Sequence, residues 1–145
     1  MAYVHVAHDC IIGSHTIFAN AASLAGHVTV GDYAILGGFS LVHQFSRVGD
    51  HSFSGMGSVI NKDVPPFLLV SGHYVEAKGV NKQGLKRRGF SAEAISAIHK
   101  TYLKMVKKKG VKDESLEEIE ALAKEHESVA LLLDFIRSSE RGNVG

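Results

Sequence analysis

Histidine is the residue type in this chain best suited to chemistry. The sequence carries nine histidines in 145 residues, and several of them lie among small and aliphatic residues in its first third, as His8, His27 and His43 do. An unperturbed imidazole titrates near pH ~6.5, so it can accept a proton or bind a metal ion at neutral pH. We therefore expect these side chains to supply a general base or metal ligands.

Two alternative roles for the histidines stay open. Polar side chains on an outer face are most often simply solvated. Histidine is also a common zinc ligand, but the sequence shows no carboxylate or Cys that completes a convincing tetrahedral set. We therefore predict no metal site.

A six-residue period organises the segment that carries these histidines. Residues 6–65 divide into ten blocks of six, and the first position is apolar in nine of them. The second position is small in eight blocks, and the fifth is small or β-branched in all ten. A repeat of six residues that continues through ten blocks is typical of a β-helix, in which three blocks close one triangular coil. An antiparallel sandwich, the alternative, has no reason to keep such a period.

The block positions predict where side chains point. First-position side chains should stack inside the prism at roughly the 4.8 Å spacing of paired strands. We expect the small second position to mark the corner, because Gly accepts a positive φ there. The first coil begins in register without a cap, so we also expect further coils upstream of residue 1.

Stacking of successive coils predicts which polar residues meet. Three blocks of six make eighteen residues per coil, so residues eighteen apart share a column along the prism. The residues that then share one edge are His8, Gly26 and Gln44 in one column, Asp9 and His27 in the next, and His43 beside them. This edge should bring the polar groups within roughly 10 Å of one another.

The period ends after Ile60, and a helical pattern follows. Pro65 and Pro66 remove ladder donors, so we expect residues 67–72 to form a connector that leaves the prism. We assign residues 1–72 to the β-helix and residues 73–145 to a small helical domain. That domain should hold a short helix near residues 80–88, a helix capped by Ser91 that stops at Gly110, two further amphipathic helices, and a frayed tail over residues 138–145.

Composition restricts the partners. The formal net charge is +1, so global charge says nothing about a partner. We expect no nucleic-acid partner. Cys10 is the single cysteine, which excludes an intrachain disulfide and is compatible with a reducing cytoplasm. No apolar run approaches the ~20 residues of a membrane span. We therefore expect a cytoplasmic protein.

Several strings in the chain resemble one enzyme family. HVAHD at residues 5–9, LAGHV at 24–28, VHQF at 42–45, DVPP at 63–66, GVN at 79–81 and GLKRRGFS at 84–91 are similar to the bacterial UDP-N-acetylglucosamine acyltransferases of lipid A synthesis. Many acyltransferases share hexapeptide repeats, whereas GLKRRGFS together with the ordered histidine motifs is specific. The resemblance runs from about residue 2 to the end of the chain.

The resemblance implies a fold, a reaction and partners. The fold is a left-handed parallel β-helix that forms a homotrimer with active sites between subunits, followed by a small α-helical bundle. The reaction moves a 3-hydroxyacyl group from acyl carrier protein to the glucosamine 3-position of UDP-N-acetylglucosamine, the first step of lipid A biosynthesis. The acyl donor is carried on the phosphopantetheine of the carrier protein, so no other cofactor and no metal are implied.

Individual roles follow from the same resemblance. His8 is the implied general base, Asp9 orients it, and the backbone N–H of Gly26 stabilises the oxyanion. The residues implied to bind substrate are His5, His27, His43 and Gln44 for the sugar and pyrophosphate, and Asn81, Arg87 and Arg88 for phosphate or carrier protein. The basic segment 78–88 suits an acidic carrier protein.

Two departures from the family affect these expectations. The family is nearly twice this length, and its N-terminal coils carry an Asp and other groups that bind the nucleotide sugar, so the chain resembles the C-terminal part. The position that sets the depth of the acyl groove holds Met56, whose long side chain predicts a preference for medium-length acyl chains. Packing of Met56 inside the coil is the alternative.

Other classes of function stay open on the sequence. One is a non-catalytic trimerising β-helix fragment. Another is a related hexapeptide acyltransferase with a different amino-sugar acceptor, and a third is a metal-binding β-helix protein similar to carbonic anhydrases.

Overall fold

The computed structural model describes residues 1–107 and 113–145, and the first sixty form a prism of short parallel strands. The strands are β1 His5–Val6, β2 Ile11–Ile12, β3 Ile17–Phe18, β4 Ser23–Leu24, β5 Thr29–Val30, β6 Ile35–Leu36, β7 Leu41–Val42, β8 Arg47–Val48, β9 Phe53–Ser54 and β10 Val59–Ile60. They make three sheets, one of β1-β4-β7-β10, one of β2-β5-β8 and one that includes β3-β6-β9. The predicted left-handed parallel β-helix is confirmed.

The interior of the prism is filled from two block positions. First-position side chains such as Leu24 and Leu36 are fully buried, and so are fifth-position side chains such as Val28. At the open end of the first coil, Val6 is 43% exposed and Ile12 is 38% exposed. The predicted inward first position is confirmed, because each of these side chains is covered by its counterpart one coil away. The inward fifth position was not predicted.

The reason for the small second position differs from the prediction. Positive φ angles of 57–65° occur at the fourth position, where Asp9, His27 and Phe45 stand, and not at the second-position glycines. A Cβ on Gly31 would lie 2.6 Å from the backbone nitrogen of Asp50, and one on Gly49 would lie 2.4 Å from the nitrogen of Pro66. The second position holds glycine here because the backbone of the next coil passes too close for a side chain.

The segment after the prolines stays in the prism, so the predicted connector is wrong. Strand β11, Leu68–Gly72, pairs in parallel with β9, and β12, Val75–Val80, returns antiparallel to β11. Val64 bridges to Val48, sixteen residues earlier. The last coil is thus two residues shorter than the others, which breaks the sequence period but keeps the stacking.

Four helices follow the prism. They are α1 Lys82–Arg87, α2 Ala92–Tyr102 with a π-helical turn over Leu103–Lys107, α3 Asp113–Glu125 and α4 Glu127–Arg137. The Ser91 side chain accepts a hydrogen bond from the Ala94 N–H, which confirms the predicted cap of α2. The predicted end of that helix, Gly110, lies outside the described residues.

The chain after α4 is not frayed, contrary to the prediction for residues 138–145. Val144 is 3% exposed, and its N–H donates to the Asp63 carbonyl at 2.8 Å. The buried Asp63 carboxylate accepts from the Ser139 hydroxyl at 2.7 Å and from the Arg47 N–H at 2.8 Å. This carboxylate therefore joins the prism to the end of the chain.

Candidate active site

The predicted cluster of histidines forms at one corner of the prism. We call the turns after β1, β4 and β7, residues 7–10, 25–28 and 43–46, the histidine corner. The His27 N–H donates to the His8 carbonyl at 3.0 Å, and the Phe45 N–H donates to the Gly26 carbonyl at 3.1 Å. These bonds, with the eighteen-residue register of β1, β4 and β7, confirm the predicted columns.

His8 is oriented by its neighbour in sequence. Its Nδ1 lies 3.0 Å from Oδ2 of Asp9, and an ionised carboxylate can only accept, so Nδ1 carries the proton. The hydrogen bond from His8, together with the charge of His27, holds the pKa of the Asp9 carboxyl below its usual range. Nε2 of His8 is therefore left with a free lone pair on a side chain that is 72% exposed. This is the tautomer that a general base needs.

Gly26 lies directly against the imidazole of His8. A Cβ at residue 26 would be 2.6 Å from Cε1 and 2.7 Å from Nε2 of His8. Any side chain at residue 26 would displace the ring, so the absence of one lets the ring lie over the backbone.

The backbone N–H of Gly26, a buried residue, differs from its counterparts at the neighbouring corner. At the neighbouring corner, formed by the turns after β2, β5 and β8, the N–H at the same block position donates to a carboxylate of the next coil. The backbone N–H of Ser14 donates to Asp32, and that of Asp32 donates to Asp50, both at 2.8 Å. At the histidine corner the residue above Gly26 is Gln44, and within the described residues the Gly26 N–H has no acceptor. An unpaired backbone N–H beside a base is the arrangement of an oxyanion hole.

His27 packs beside both His8 and Asp9. Its ring stacks on Phe45 at 4.7 Å and meets the His8 ring edge-on at 5.1 Å. Its Nε2 lies 3.7 Å from Oδ2 of Asp9, and ligand atoms of His8, Asp9 and His27 all lie within 4.8 Å of one another. The turn thus brings the Asp9 carboxylate against the histidine of the next coil, a grouping that the sequence analysis did not identify. The absence of a metal site stays a prediction.

The other predicted sugar-binding residues lie on the same edge. His43 and Gln44 are exposed at the corner, where Nδ1 of His43 donates to the Gln44 carbonyl at 3.1 Å. His5 is exposed on β1, three residues before His8. Sugar binding by His5, His43 and Gln44 stays a prediction.

The predicted phosphate-binding residues lie elsewhere. Asn81 caps α1 by accepting from the Gly84 N–H at 3.3 Å, and its amide donates to the His51 carbonyl at 3.1 Å. Arg88 donates to Nδ1 of His51 at 3.1 Å. Arg87 is exposed on the same helix. A single chain therefore carries these three residues at the neighbouring corner and not beside His8.

His51 holds Arg88, a role that the sequence did not predict. Burial and the positive charge of Arg88 lower the pKa of His51 to about 4, so its neutral ring accepts from the guanidinium. His51 stacks on Tyr33 at 5.0 Å and on Phe67 at 5.8 Å, in a column that also contains His15. The eighteen-residue spacing of His15, Tyr33 and His51 in the sequence could have predicted this column.

Met56 lies at the third corner of the prism. Met56 is 82% exposed. Packing inside the coil, the alternative for Met56, is therefore excluded, and the assignment of Met56 to an acyl groove stays a prediction.

A basic cavity lies between α1 and α2. It has a volume of about 720 Å³, and its floor includes Ile95 and Leu103. The cationic residues that line it are Lys82, Lys86 and Lys100. His99 also lines it, and burial together with the charge of Lys82 lowers the pKa of this imidazole. An apolar floor with a cationic rim suits an acidic partner. Among the described helices, none is long and apolar enough to cross a membrane.

Comparison with known proteins identifies related sequences and folds. A family model described as "Udp N-acetylglucosamine O-acyltransferase; Domain 2" matches residues 63–144. The acyl-(acyl-carrier-protein)-UDP-N-acetylglucosamine O-acyltransferase of Thiobacillus denitrificans is 52% identical over 142 residues, which cover 98% of this chain and 55% of that protein.

Solved structures agree with the sequence comparison. The UDP-N-acetylglucosamine acyltransferase of Francisella novicida has a TM-score of 0.91 and 42% identity, covering 99% of this chain and 53% of that one. The UDP-N-acetylglucosamine O-acyltransferase of Moraxella catarrhalis has a TM-score of 0.90 and 38% identity, covering 98% of this chain and 55% of that one. The chain thus spans about half the length of the relatives it matches.

Proposed function

Because this chain belongs to the UDP-N-acetylglucosamine O-acyltransferase family, we propose that it transfers a 3-hydroxyacyl group from acyl carrier protein to UDP-N-acetylglucosamine. The acceptor is the 3-hydroxyl of the glucosamine ring, and the reaction is the first step of lipid A biosynthesis in the cytoplasm. The acyl group arrives on the phosphopantetheine of the carrier protein, so the reaction needs no other cofactor.

One observation carries the proposal. His8 donates from Nδ1 to the Asp9 carboxylate, and the Cε1–Nε2 edge of its ring lies beside Gly26. A base and an unpaired N–H donor on adjacent coils suit attack of a hydroxyl on a thioester, since that step loses a proton and creates an oxyanion.

The proton and charge movements follow from this pair. Nε2 of His8 takes the proton of the sugar 3-hydroxyl while its oxygen attacks the thioester carbonyl. The Gly26 N–H donates to the carbonyl oxygen as it becomes an oxyanion, and the Asp9 carboxylate stabilises the imidazolium. When the intermediate collapses, the C–S bond breaks and the imidazolium returns its proton to the thiolate of the phosphopantetheine.

Substrate binding requires more than one subunit in this proposal. Arg87 and Arg88 lie at one corner and His8 at another, so one chain does not bring them to a common ligand. In a homotrimer each active site lies between neighbouring subunits, and the arginines of one subunit serve the base of the next. His5, His27, His43 and Gln44 hold the sugar, and Asn81 positions the helix that carries the arginines.

The carrier protein docks on the basic cavity between α1 and α2. Lys82, Lys86 and Lys100 line this cavity, and acyl carrier proteins are acidic. Opposite charges on the two surfaces raise the rate of encounter and set the orientation of the thioester.

Product analysis tests the proposed function. We would incubate the chain with UDP-N-acetylglucosamine and carrier proteins that bear 3-hydroxyacyl groups of different lengths, and analyse the sugar product by mass spectrometry and alkaline hydrolysis. The proposal predicts an alkali-labile ester at the 3-hydroxyl. A chain that forms trimers but makes no product, or that forms an ester only with another sugar nucleotide, would contradict it.

A further inference from the structure

We propose that His8, Asp9 and His27 also form a binding site for a divalent transition-metal ion of the zinc type, and that its occupancy inhibits acyl transfer. Metal binding depends only on the geometry of these three side chains. The inhibitory effect rests on the proposed function, in which His8 is the base.

The distances between the candidate ligand atoms suit zinc. Two ligands about 2.0–2.1 Å from a tetrahedral Zn²⁺ lie about 3.3–3.4 Å apart. Nδ1 of His8 and Oδ2 of Asp9 are 3.0 Å apart, and Oδ2 of Asp9 and Nε2 of His27 are 3.7 Å apart. These two separations lie on either side of the required value, and one ligand atom from each of the three residues lies within 4.8 Å of the others. Side-chain rotations that draw the two imidazoles together would place all three ligands around one ion.

The types of ligand favour zinc over the hard cations. Two imidazoles and one carboxylate make a three-ligand set with a fourth position left for water. Mg²⁺ and Ca²⁺ require six or more oxygen ligands, and this cluster has one carboxylate. Imidazole is a preferred ligand of Zn²⁺ and of its neighbours in the first transition series.

The cluster is accessible, and its backbone is fixed. The side chains of His8, Asp9 and His27 are exposed, so an ion can reach them from solvent. The stacking of His27 on Phe45, with 7° between the ring planes, and the hydrogen bond from its N–H to His8 fix the two coils relative to each other. His15 occupies the same block position as His27 and stacks on Tyr33 at 4.8 Å, but no comparable group of ligands includes it among the described residues.

Inhibition follows from what the metal would replace. The ion takes the place of the proton that Nδ1 of His8 shares with Asp9. Asp9 then no longer orients the ring, and a divalent positive charge beside the imidazole makes Nε2 a poor proton acceptor. The chain with metal bound therefore lacks its general base.

Zinc binding can be measured without any assay of activity. The untagged chain with Cys10→Ser removes the one thiol near the site, and serine retains a donor for the Ala25 carbonyl that Sγ contacts at 3.2 Å. Competition with a chromophoric chelator should give one Zn²⁺ per chain, and Co²⁺ should give the visible absorption of a four-coordinate site. Adding His27→Asn should weaken zinc binding by at least about tenfold, since a lost ligand costs no less than a lost outer partner.

His15→Asn is the matched control for His27→Asn. His15→Asn, in the same background, should bind Zn²⁺ as tightly as the parent, and excess Mg²⁺ should not displace Zn²⁺. Equal zinc affinity in His27→Asn and His15→Asn, or no stoichiometric binding, would refute the site.

The inhibitory effect is tested separately. Acyl transfer should stop when the site is loaded with Zn²⁺ and return when a chelator is added. If the loaded chain transfers acyl groups at full rate, inhibition is refuted and the binding site stands. If the metal-free chain transfers nothing, the proposed function fails together with inhibition, and the binding data still decide the site.

Discussion

At residue 26, the space that a side chain would occupy is already taken by the imidazole of His8. The ring is held from one side by the Asp9 carboxylate and lies against the glycine backbone on the other. The catalytic proposal thus depends on residue 26 having no side chain, as well as on the side chains of His8 and Asp9. Gly26 both leaves room for the His8 ring and supplies the unpaired backbone N–H.

Gly26→Ala should abolish most activity and leave the fold intact. A methyl group 2.6–2.7 Å from His8 must rotate the imidazole, which removes the base from the reacting hydroxyl. We expect kcat to fall about 10²–10⁴-fold, the contribution of a positioned general base, since alanine keeps the backbone N–H. Steady-state kinetics and thermal unfolding measure the two effects.

Gly38→Ala is the matched control for this substitution. Gly38 holds the same block position at another corner, and the nearest atom to a Cβ there, the Asn20 carbonyl oxygen, is 3.5 Å away. A Cβ at residue 38 would make only ordinary van der Waals contacts, at 3.5 Å with Asn20 and 4.0 Å with Met56, so kcat should stay within about twofold of wild type. A similar loss in both variants would show that the effect is not specific to the His8 contact.

Among the elements, the corner after β2, β5 and β8 is an aromatic column that holds Arg88. The stack runs through Tyr33, His51 and Phe67, and Arg88 donates to the neutral ring of His51. The pKa of His51 is lowered from 6.5 to about 4. Because the unfolded chain takes up this proton first as pH falls, the contribution of His51 to stability is complete above pH 6.5 and is lost toward pH 4.

His51→Phe should make the stability of the protein less sensitive to acid. The substitution keeps an aromatic ring in the column and removes the titrating group. Between about pH 7 and about pH 5, the free energy of unfolding should fall less in His51→Phe than in wild type. Urea unfolding at both pH values measures this, with His15→Phe as the control in the same column. An unchanged acid response in His51→Phe would refute the assigned role of burial.

A second element-level feature is the attachment of the chain end to the prism by Asp63. Asp63→Ala would leave Arg47 without its carboxylate and Ser139 without its acceptor. The free energy of unfolding should fall by about 3 kcal/mol, the lower end for breaking a buried pair, because Arg47 remains partly exposed.

Glu76→Ala is the control for Asp63→Ala. Glu76 pairs with Lys78 at 3.3 Å on the surface, and its removal should cost less than about 1 kcal/mol. Urea unfolding gives both values. Equal losses in the two variants would contradict the structural role of Asp63.

The six-residue period could predict the strands, the inward side chains and the columns of the histidine corner, because stacking in a β-helix depends directly on sequence spacing. It could not predict the last coil, where two fewer residues still close a turn. It also missed the burial of Val144, which depends on packing against a distant element. The small second position was predicted, but its cause is the approach of the next backbone and not φ.

On the scale of the whole molecule, the candidate residues are distributed over separate corners of one prism. His8 and Asp9 lie at one corner and Arg88 at the neighbouring one, whereas Met56 lies at the third. A ligand that needs both the base and the arginine must therefore contact two copies of the chain in the proposed homotrimer.

Mixing two inactive variants should restore activity if sites are shared. Trimers of His8→Ala alone and of Arg88→Ala alone should transfer slowly. In trimers assembled from an equal mixture, about a quarter of the sites combine an intact His8 with an intact Arg88 from the neighbour. Activity after refolding the mixture measures this. A mixture no more active than its components would place both residues in one subunit's site.

The most direct test of the central claim is the single-turnover rate of acyl transfer in His8→Ala, measured beside His15→Ala at saturating substrate. With His8 as general base, the rate in His8→Ala should fall about 10²–10⁴-fold, while His15→Ala keeps the wild-type rate and both variants keep the wild-type fold. A His8→Ala protein that transfers acyl groups as fast as His15→Ala would contradict the assignment of the base and the mechanism built on it.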